Sequence, residues 1–156
     1  MARQLDDIDR VLLRALSADG RQTVRALARE VSLSEPSVRD RLQRLERDGV
    51  ITGYHAAIEP SEAGGGTAAF IALRFAPTDR ARAAVNEALR AEPGVLEVHE
   101  AAGEDCYLLK VRVASTAALA EMLDRLRGLP TVSSTRTTIV LRTVFERGFG
   151  PVAGDV

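Results

Sequence analysis

Apolar residues open the chain at helical spacing. Leu5, Ile8, Leu12, Ala15 and Leu16 recur every three or four residues, with Val11 widening the stripe. This pattern predicts an amphipathic helix that Asp6 or Asp7 can cap. Ala18-Asp19-Gly20 reads as its end, glycine tolerating a left-handed exit. Thr23 is a suitable N-cap for a second, short helix whose apolar face is Val24, Leu27, Ala28 and Val31. Ser32-Leu33 turns the chain. Ser34 then caps a third helix, with Pro36 in the first turn where a missing N–H costs little. That helix buries Val38, Leu42 and Leu45 and stops at Gly49. Three helices in about 45 residues, the last two joined by a turn of about three, have helix-turn-helix proportions.

From Val50 the periodicity changes. Val50 to Ile58 reads as extended, and Pro60 with Gly64-Gly65-Gly66 marks a flexible connection. The expected division is therefore 1–52 for the helical domain, 53–66 for a hinge strand and linker, and 67–156 for a second domain. Within the last, a strand is predicted from Ala68 to Phe75 and a helix from Asp79 to about Arg90. Strands follow from Val95 to Ala101 and from about Cys106 to Val113, with Gly103 in the turn between them. A helix from Thr116 to Arg127 and a long strand from Val132 to Phe145 complete the pattern.

The order β-α-β-β-α-β predicts a ferredoxin-like fold, an antiparallel sheet covered on one face by two helices. The chain is thus expected to be α+β, with a three-helix helix-turn-helix domain preceding that sheet. Ile71 and Leu73 share one face of its first strand, while Phe70, Ala72 and Arg74 share the other. Strands apolar on both faces imply a second sheet packed on the first, so oligomerisation is expected from the sequence itself.

Composition sharpens this picture. The formal net charge is −1 over 156 residues, which excludes a protein that coats nucleic acid through bulk positive charge. DNA binding must then come from local placement of arginine, which accounts for every basic residue except Lys110. The single cysteine, Cys106, rules out an intrachain disulfide and a cysteine-based zinc cage, and with only His55 and His99 besides no metal is expected. Cys106, beside Tyr107 and Leu108, reads as a small packing residue. No run is long enough to span a bilayer and the first residues lack the apolar core of a signal peptide, so a soluble, cytoplasmic protein is expected. No serine, cysteine or histidine forms a nucleophile–base arrangement, and no enzyme is expected.

On a wheel whose buried side is Val38, Leu42 and Leu45, the third helix points Asp40, Gln43, Arg44 and Arg47 outward, with Ser37 and Arg41 on one flank and Arg39 on the other. An α-helix fits the major groove, where serine, glutamine and arginine bond base edges. Ser34, Ser37, Arg39 and Asp40, near the N-terminal end, would lie deepest. Arg41, Arg44 and Arg47 suit phosphates, which fix register without reading sequence. A charged face on an isolated helix is ordinarily a solvated one; the short helix and tight turn before it favour double-stranded DNA.

The residues Leu5-Asp6-Asp7-Ile8-Asp9-Arg10, Asp19-Gly20-Arg21 and Leu33-Ser34 resemble the leucine-responsive regulator family, Lrp/AsnC. Val38, Arg41-Leu42, Arg44-Leu45-Glu46, Gly49-Val50-Ile51 and Gly53-Tyr54 continue the likeness, as do Tyr107-Leu108-Leu109-Lys110 and Thr135-Arg136-Thr137. The resemblance spans nearly the whole chain. It implies a transcription regulator that pairs through its C-terminal domains into homodimers and often into tetramers or octamers. It also implies an amino acid or related metabolite, bound between subunits, that alters assembly or DNA affinity.

Such an effector needs donors for its carboxylate and an acid or carbonyl for its ammonium. Gly103, Glu104, Asp105, Cys106 and Tyr107, at the turn between two strands, can supply these; Thr135 and Thr137 share a face of the last strand and add hydroxyls. Many members of the family carry an aspartate at the position of Cys106, which Asp105 cannot replace within a strand because adjacent side chains point to opposite faces. Either the ammonium is held differently here or the effector is not a plain α-amino acid. A hairpin turn without a ligand, and an architectural DNA-bending protein without a metabolite switch, are the competing readings.

Overall fold

The computed structural model describes residues 5–146. It divides into two compact units, one reaching to Ala57 and the other running from Ile58 to Val144.

The first unit holds α1 (Asp7–Ala18), α2 (Val24–Glu30) and α3 (Glu35–Arg47). Each begins on a side chain that accepts from an otherwise orphaned N–H: Asp6 from Asp9, Thr23 from Ala26 and Ser34 from Ser37. Leu12, Ala15, Leu27, Ala28, Val38 and Leu42 form the core, with Ile8, Leu16, Val24, Val31, Leu33 and Ile51 around it. The α2–α3 turn places Ser32 at φ 54°, a left-handed conformation unusual for serine.

The two helix ends differ. α1 does not leave through a left-handed glycine as expected; Asp19 is extended and its carboxylate accepts the Arg21 N–H at 2.9 Å, a local turn that replaces the glycine device. α3 does end on glycine. Gly49 has φ 71°, its N–H bonds the Glu46 carbonyl at 3.0 Å, and the Val50 N–H bonds the Leu45 carbonyl at 2.9 Å. These are the two bonds of a Schellman cap. They draw Val50 and Ile51 into the end of the helix, and residues 50–58 form no strand.

The second unit contains β1 (Thr67–Phe75), α4 (Asp79–Ala91), β2 (Val95–Glu100), β3 (Tyr107–Val113), α5 (Thr116–Arg127) and β4 (Val132–Val140). The strands pair antiparallel in the order β2-β3-β1-β4, the ferredoxin-like arrangement. β4 stops five residues short of the expected Phe145. Its last pair is Ala68 with Val140, where β1 runs out, and a strand needs a neighbour to bond.

One face of the sheet packs on the helices. Ala69, Ile71, Leu73 and Phe75 of β1 with Tyr107, Leu109 and Val111 of β3 meet Ala81, Val85 and Leu89 of α4 and Leu119, Met122 and Leu126 of α5. The opposite face carries Ala68, Phe70, Ala72 and Arg74 beside Leu108, Lys110, Arg112 and Arg136. On it Phe70 and Leu108 are each 41% exposed.

Candidate nucleic-acid interface and effector site

Along α3 the apolar stripe is buried as the wheel requires, Val38 and Leu45 completely. Ser34, Ser37, Arg39, Asp40, Gln43 and Arg47 are all exposed. The Ser34 and Ser37 hydroxyls lie 2.8 Å apart, so the N-terminal end of the helix presents a pair of hydroxyls with Arg39 and Asp40 one step further along. These are groups able to donate to and accept from base edges.

Arg41 and Arg44 do not join them. The Asp9 carboxylate, whose side chain is only 3% exposed, accepts from Arg41 Nη1 at 2.8 Å and from Arg44 Nη2 at 3.1 Å. Arg41 Nη1 also reaches Asp6 Oδ2 at 2.6 Å. Both arginines, expected to be free for phosphates, are instead engaged by acids of α1, with 23% and 35% of their side chains still exposed. α1 packs along their flank of α3, and a buried carboxylate claims both guanidiniums. The Asp6 carboxyl is held below the usual carboxylate range by the Asp9 N–H it caps and then by Arg41, while Asp6 and then Asp9 raise the Arg41 guanidinium.

Sequence reasoning missed Asp9, and it read Asp6 as a helix cap without its second role as a partner of Arg41. The signal was present, since Asp9 interrupts the apolar stripe between Ile8 and Leu12 where a charge is out of place without a partner. Tyr54 packs near Gly20 and donates to Glu46 Oε1 at 2.8 Å; partial burial, then Glu46, pushes its phenol up to about 12.

In the second unit, the β2–β3 turn brings together only part of the predicted effector set. Gly103 has φ 144° with open space around it. Glu104 pairs with Arg74 at 3.2 Å and Asp105 pairs with Arg136. Both arginines stand on the helix-free face, because Arg136 is in register with Ala72 and Arg74 follows two residues later on the same strand. Arg74 Nε is shielded and has no partner.

Thr135 and Thr137 are in register with Leu73 and Ile71, hence on the helix-covered face, away from these acids. Thr135 accepts from Arg127 Nε at 2.9 Å instead. The residue between the two threonines is the one whose parity brings it to the turn. Tyr107 is also turned inward: its hydroxyl donates to Asn86 at 2.8 Å and its ring meets Phe75 edge-on, with centroids 4.9 Å apart. Cys106 packs against the core, its N–H bonded to the Leu73 carbonyl at 2.9 Å. His99 is exposed beside Glu97 at 3.0 Å. Among the described residues no cluster of histidine, cysteine, aspartate and glutamate is disposed to hold a metal, and no helix is long and apolar enough to cross a membrane.

A helix-turn-helix joined to a ferredoxin-like sheet with a polar turn is the build of a ligand-responsive DNA-binding regulator. Residues 5–52 match a winged helix-turn-helix DNA-binding domain, and residues 68–148 match the Lrp/AsnC ligand binding domain. The chain is similar to the transcriptional regulator LrpA of Mycobacterium tuberculosis, 42% identical over 147 residues that cover 94% of this chain and 96% of that one. Among solved structures, a Neisseria meningitidis transcriptional regulator in complex with L-methionine superposes with a TM-score of 0.86 at 28% identity, covering 92% of this chain and 94% of that one. A feast or famine regulatory protein of M. tuberculosis complexed with L-methionine gives 0.85 at 41% identity, covering 95% and 100%. The chain belongs to the Lrp/AsnC family of transcriptional regulators.

Proposed function

We propose that this regulator reads specific duplex sites with the exposed N-terminal half of α3 and answers to an amino acid or close relative bound at the β2–β3 turn. The observation that carries the first part is the exposure of Ser34, Ser37, Arg39, Asp40 and Gln43 on one side of a helix whose other side is fully buried. Arg47, also exposed, is the phosphate contact at the C-terminal end.

The second part rests on the alternation of charge at the turn. A zwitterion has one pole for a guanidinium and one for a carboxylate, and Arg74, Arg136, Glu104 and Asp105 offer both within a short span of the helix-free face. The open backbone at Gly103 admits a ligand. On this reading the ammonium falls to Glu104 or Asp105, and Cys106, packed against the core, takes no part. Two relatives are described in complex with L-methionine, which supports an amino acid as the effector class.

Phe70, Ala72 and Leu108 make the helix-free face the surface on which two copies pair, giving a symmetric dimer with two recognition helices. Effector binding shifts the population of assemblies, with no turnover of the ligand and no cofactor, in the cytoplasm. The test is fluorescence anisotropy on the DNA upstream of its own gene and on a scrambled duplex, at one salt concentration, with a panel of amino acids. Preference for the upstream duplex that moves with one amino acid is the expected result. Equal binding to both duplexes, indifferent to every amino acid, refutes the proposal and leaves the turn as a turn.

A further inference from the structure

α3 carries four arginines, at positions 39, 41, 44 and 47; Arg39 and Arg47 are exposed, while Arg41 and Arg44 are partly covered, with 23% and 35% of their side chains open. The latter two converge on Asp9 from a distance of more than thirty residues in sequence. Asp9 is not needed to start α1, since Asp6 already caps it through the Asp9 N–H at 2.8 Å. Its carboxylate lies under the surface of an otherwise apolar interface, 3% exposed, with Arg41 and Arg44 as its partners. Drawing both arginines from it to phosphates would leave a buried charge unpaired, which is strongly unfavourable.

We propose that Asp9 is a specificity-determining residue of the DNA-binding unit, acting by withholding Arg41 and Arg44 from the phosphate backbone. This rests on the reading of α3 as the DNA face. Each cation that neutralises a phosphate adds affinity for any sequence, through release of condensed counterions. Discrimination comes from base edges and DNA shape, and phosphate contacts carry no sequence information directly. Taking two of four arginines off the face therefore lowers binding to all DNA while leaving the readers at Ser34, Ser37, Arg39, Asp40 and Gln43 in place. The operator then stands out against bulk DNA. Asp9 touches no DNA itself; it is a positioning residue that acts through the two guanidiniums. A merely structural ion pair would affect stability alone, and the salt dependence of binding separates the two roles.

The experiment is equilibrium binding of the full chain to a scrambled duplex at several salt concentrations, repeated on the upstream duplex. Arg47→Gln and Arg39→Gln are each expected to flatten the slope of log K against log salt by about 0.9. Arg41→Gln and Arg44→Gln are expected to leave it unchanged. Asp9→Asn, which frees Arg44 while Asp6 still holds Arg41, is expected to steepen the slope by about 0.9 and to reduce the preference for the upstream duplex. A slope no steeper in Asp9→Asn, or flattened by Arg44→Gln as much as by Arg47→Gln, overturns the assignment.

Should Asp9→Asn fail to keep its helices at the assay temperature, phenylglyoxal labelling of the wild-type chain decides. Arg39 and Arg47 should react in the free protein and be shielded by DNA, while Arg41 and Arg44 stay unreactive in both. Shielding of Arg41 or Arg44 that depends on DNA overturns the proposal. If Arg39→Gln and Arg47→Gln also leave the slope unmoved, α3 itself is not the interface, and the role of Asp9 falls with it.

Discussion

Substituting Phe70 by aspartate tests whether the helix-free face of the sheet joins two copies. Phe70 exposes 41% of its surface at the middle of β1, with Ala72 beside it and Leu108 on the neighbouring strand. On an aromatic side chain of roughly 200 Å², that leaves about 80 Å² open to a partner. At about 25 cal/mol per Å² its burial contributes about 2 kcal/mol, and a two-fold interface counts it twice, about 4 kcal/mol in all. Loss of that term alone weakens dimerisation about a thousandfold. A carboxylate buried in its place adds to the loss.

Sedimentation velocity over a dilution series should therefore show Phe70→Asp as a monomer at concentrations where the parent chain is assembled. Because Phe70 is not in the core of the monomer, the variant should keep its far-ultraviolet circular dichroism. Ala120→Glu, which adds a charge on the exposed side of α5, serves as the control. Two outcomes would sink the reasoning: a parent chain that is already monomeric, or a Phe70→Asp variant that assembles as the parent does. Either would mean that the open apolar face is solvated and that paired recognition helices need another origin.

Three further predictions concern stability. Ser32→Gly relieves the left-handed φ of 54° in the α2–α3 turn and should stabilise the first unit by about 1 kcal/mol, read from urea midpoints; a lower midpoint would show that serine makes a compensating contact. Gly94→Ala should destabilise the second unit by about 1–3 kcal/mol, because a Cβ there would meet the Arg112 carbonyl oxygen at 2.7 Å and Met122 Cε at 2.7 Å; a neutral effect in thermal melts would refute the close approach. Acid should weaken both units. Asp6 is held below the usual carboxylate range by the Asp9 N–H and Arg41, and Glu92 by Arg125, so each contributes stability above its unfolded pKa of about 4 that is lost as pH falls through the lower folded value. Asp6→Asn and Glu92→Gln should flatten the melting temperature against pH below about 4, and an unchanged profile would remove these pairs from the account.

The helices and the sheet order were legible because local chemistry and periodicity act within a few residues. Thr23, Ser34 and Gly49 mark helix ends through bonds to their own neighbours, and α5 was placed at Thr116–Arg127 from its apolar repeat. The face alternation of β1 followed from a period of two and placed Phe70, Ala72 and Arg74 on the second face. The end of β4 was not legible, since it depends on where β1 begins more than seventy residues earlier. For the same reason residues 50–58 looked like a strand: an extended pattern says nothing about whether a partner backbone lies alongside.

At the candidate sites the division is sharper. The sequence by itself determined which helix could read DNA and which turn held the acids, because both follow from spacing along one element. Only the tertiary structure decided which charges remain free. Arg41 and Arg44 looked equivalent to Arg47 until α1 placed Asp9 against them, and Thr135 and Thr137 looked like ligands until register turned them to the helix side and Arg136 to the acids. A charge is spent or spared by what packs beside it, and packing partners distant in sequence leave no local mark.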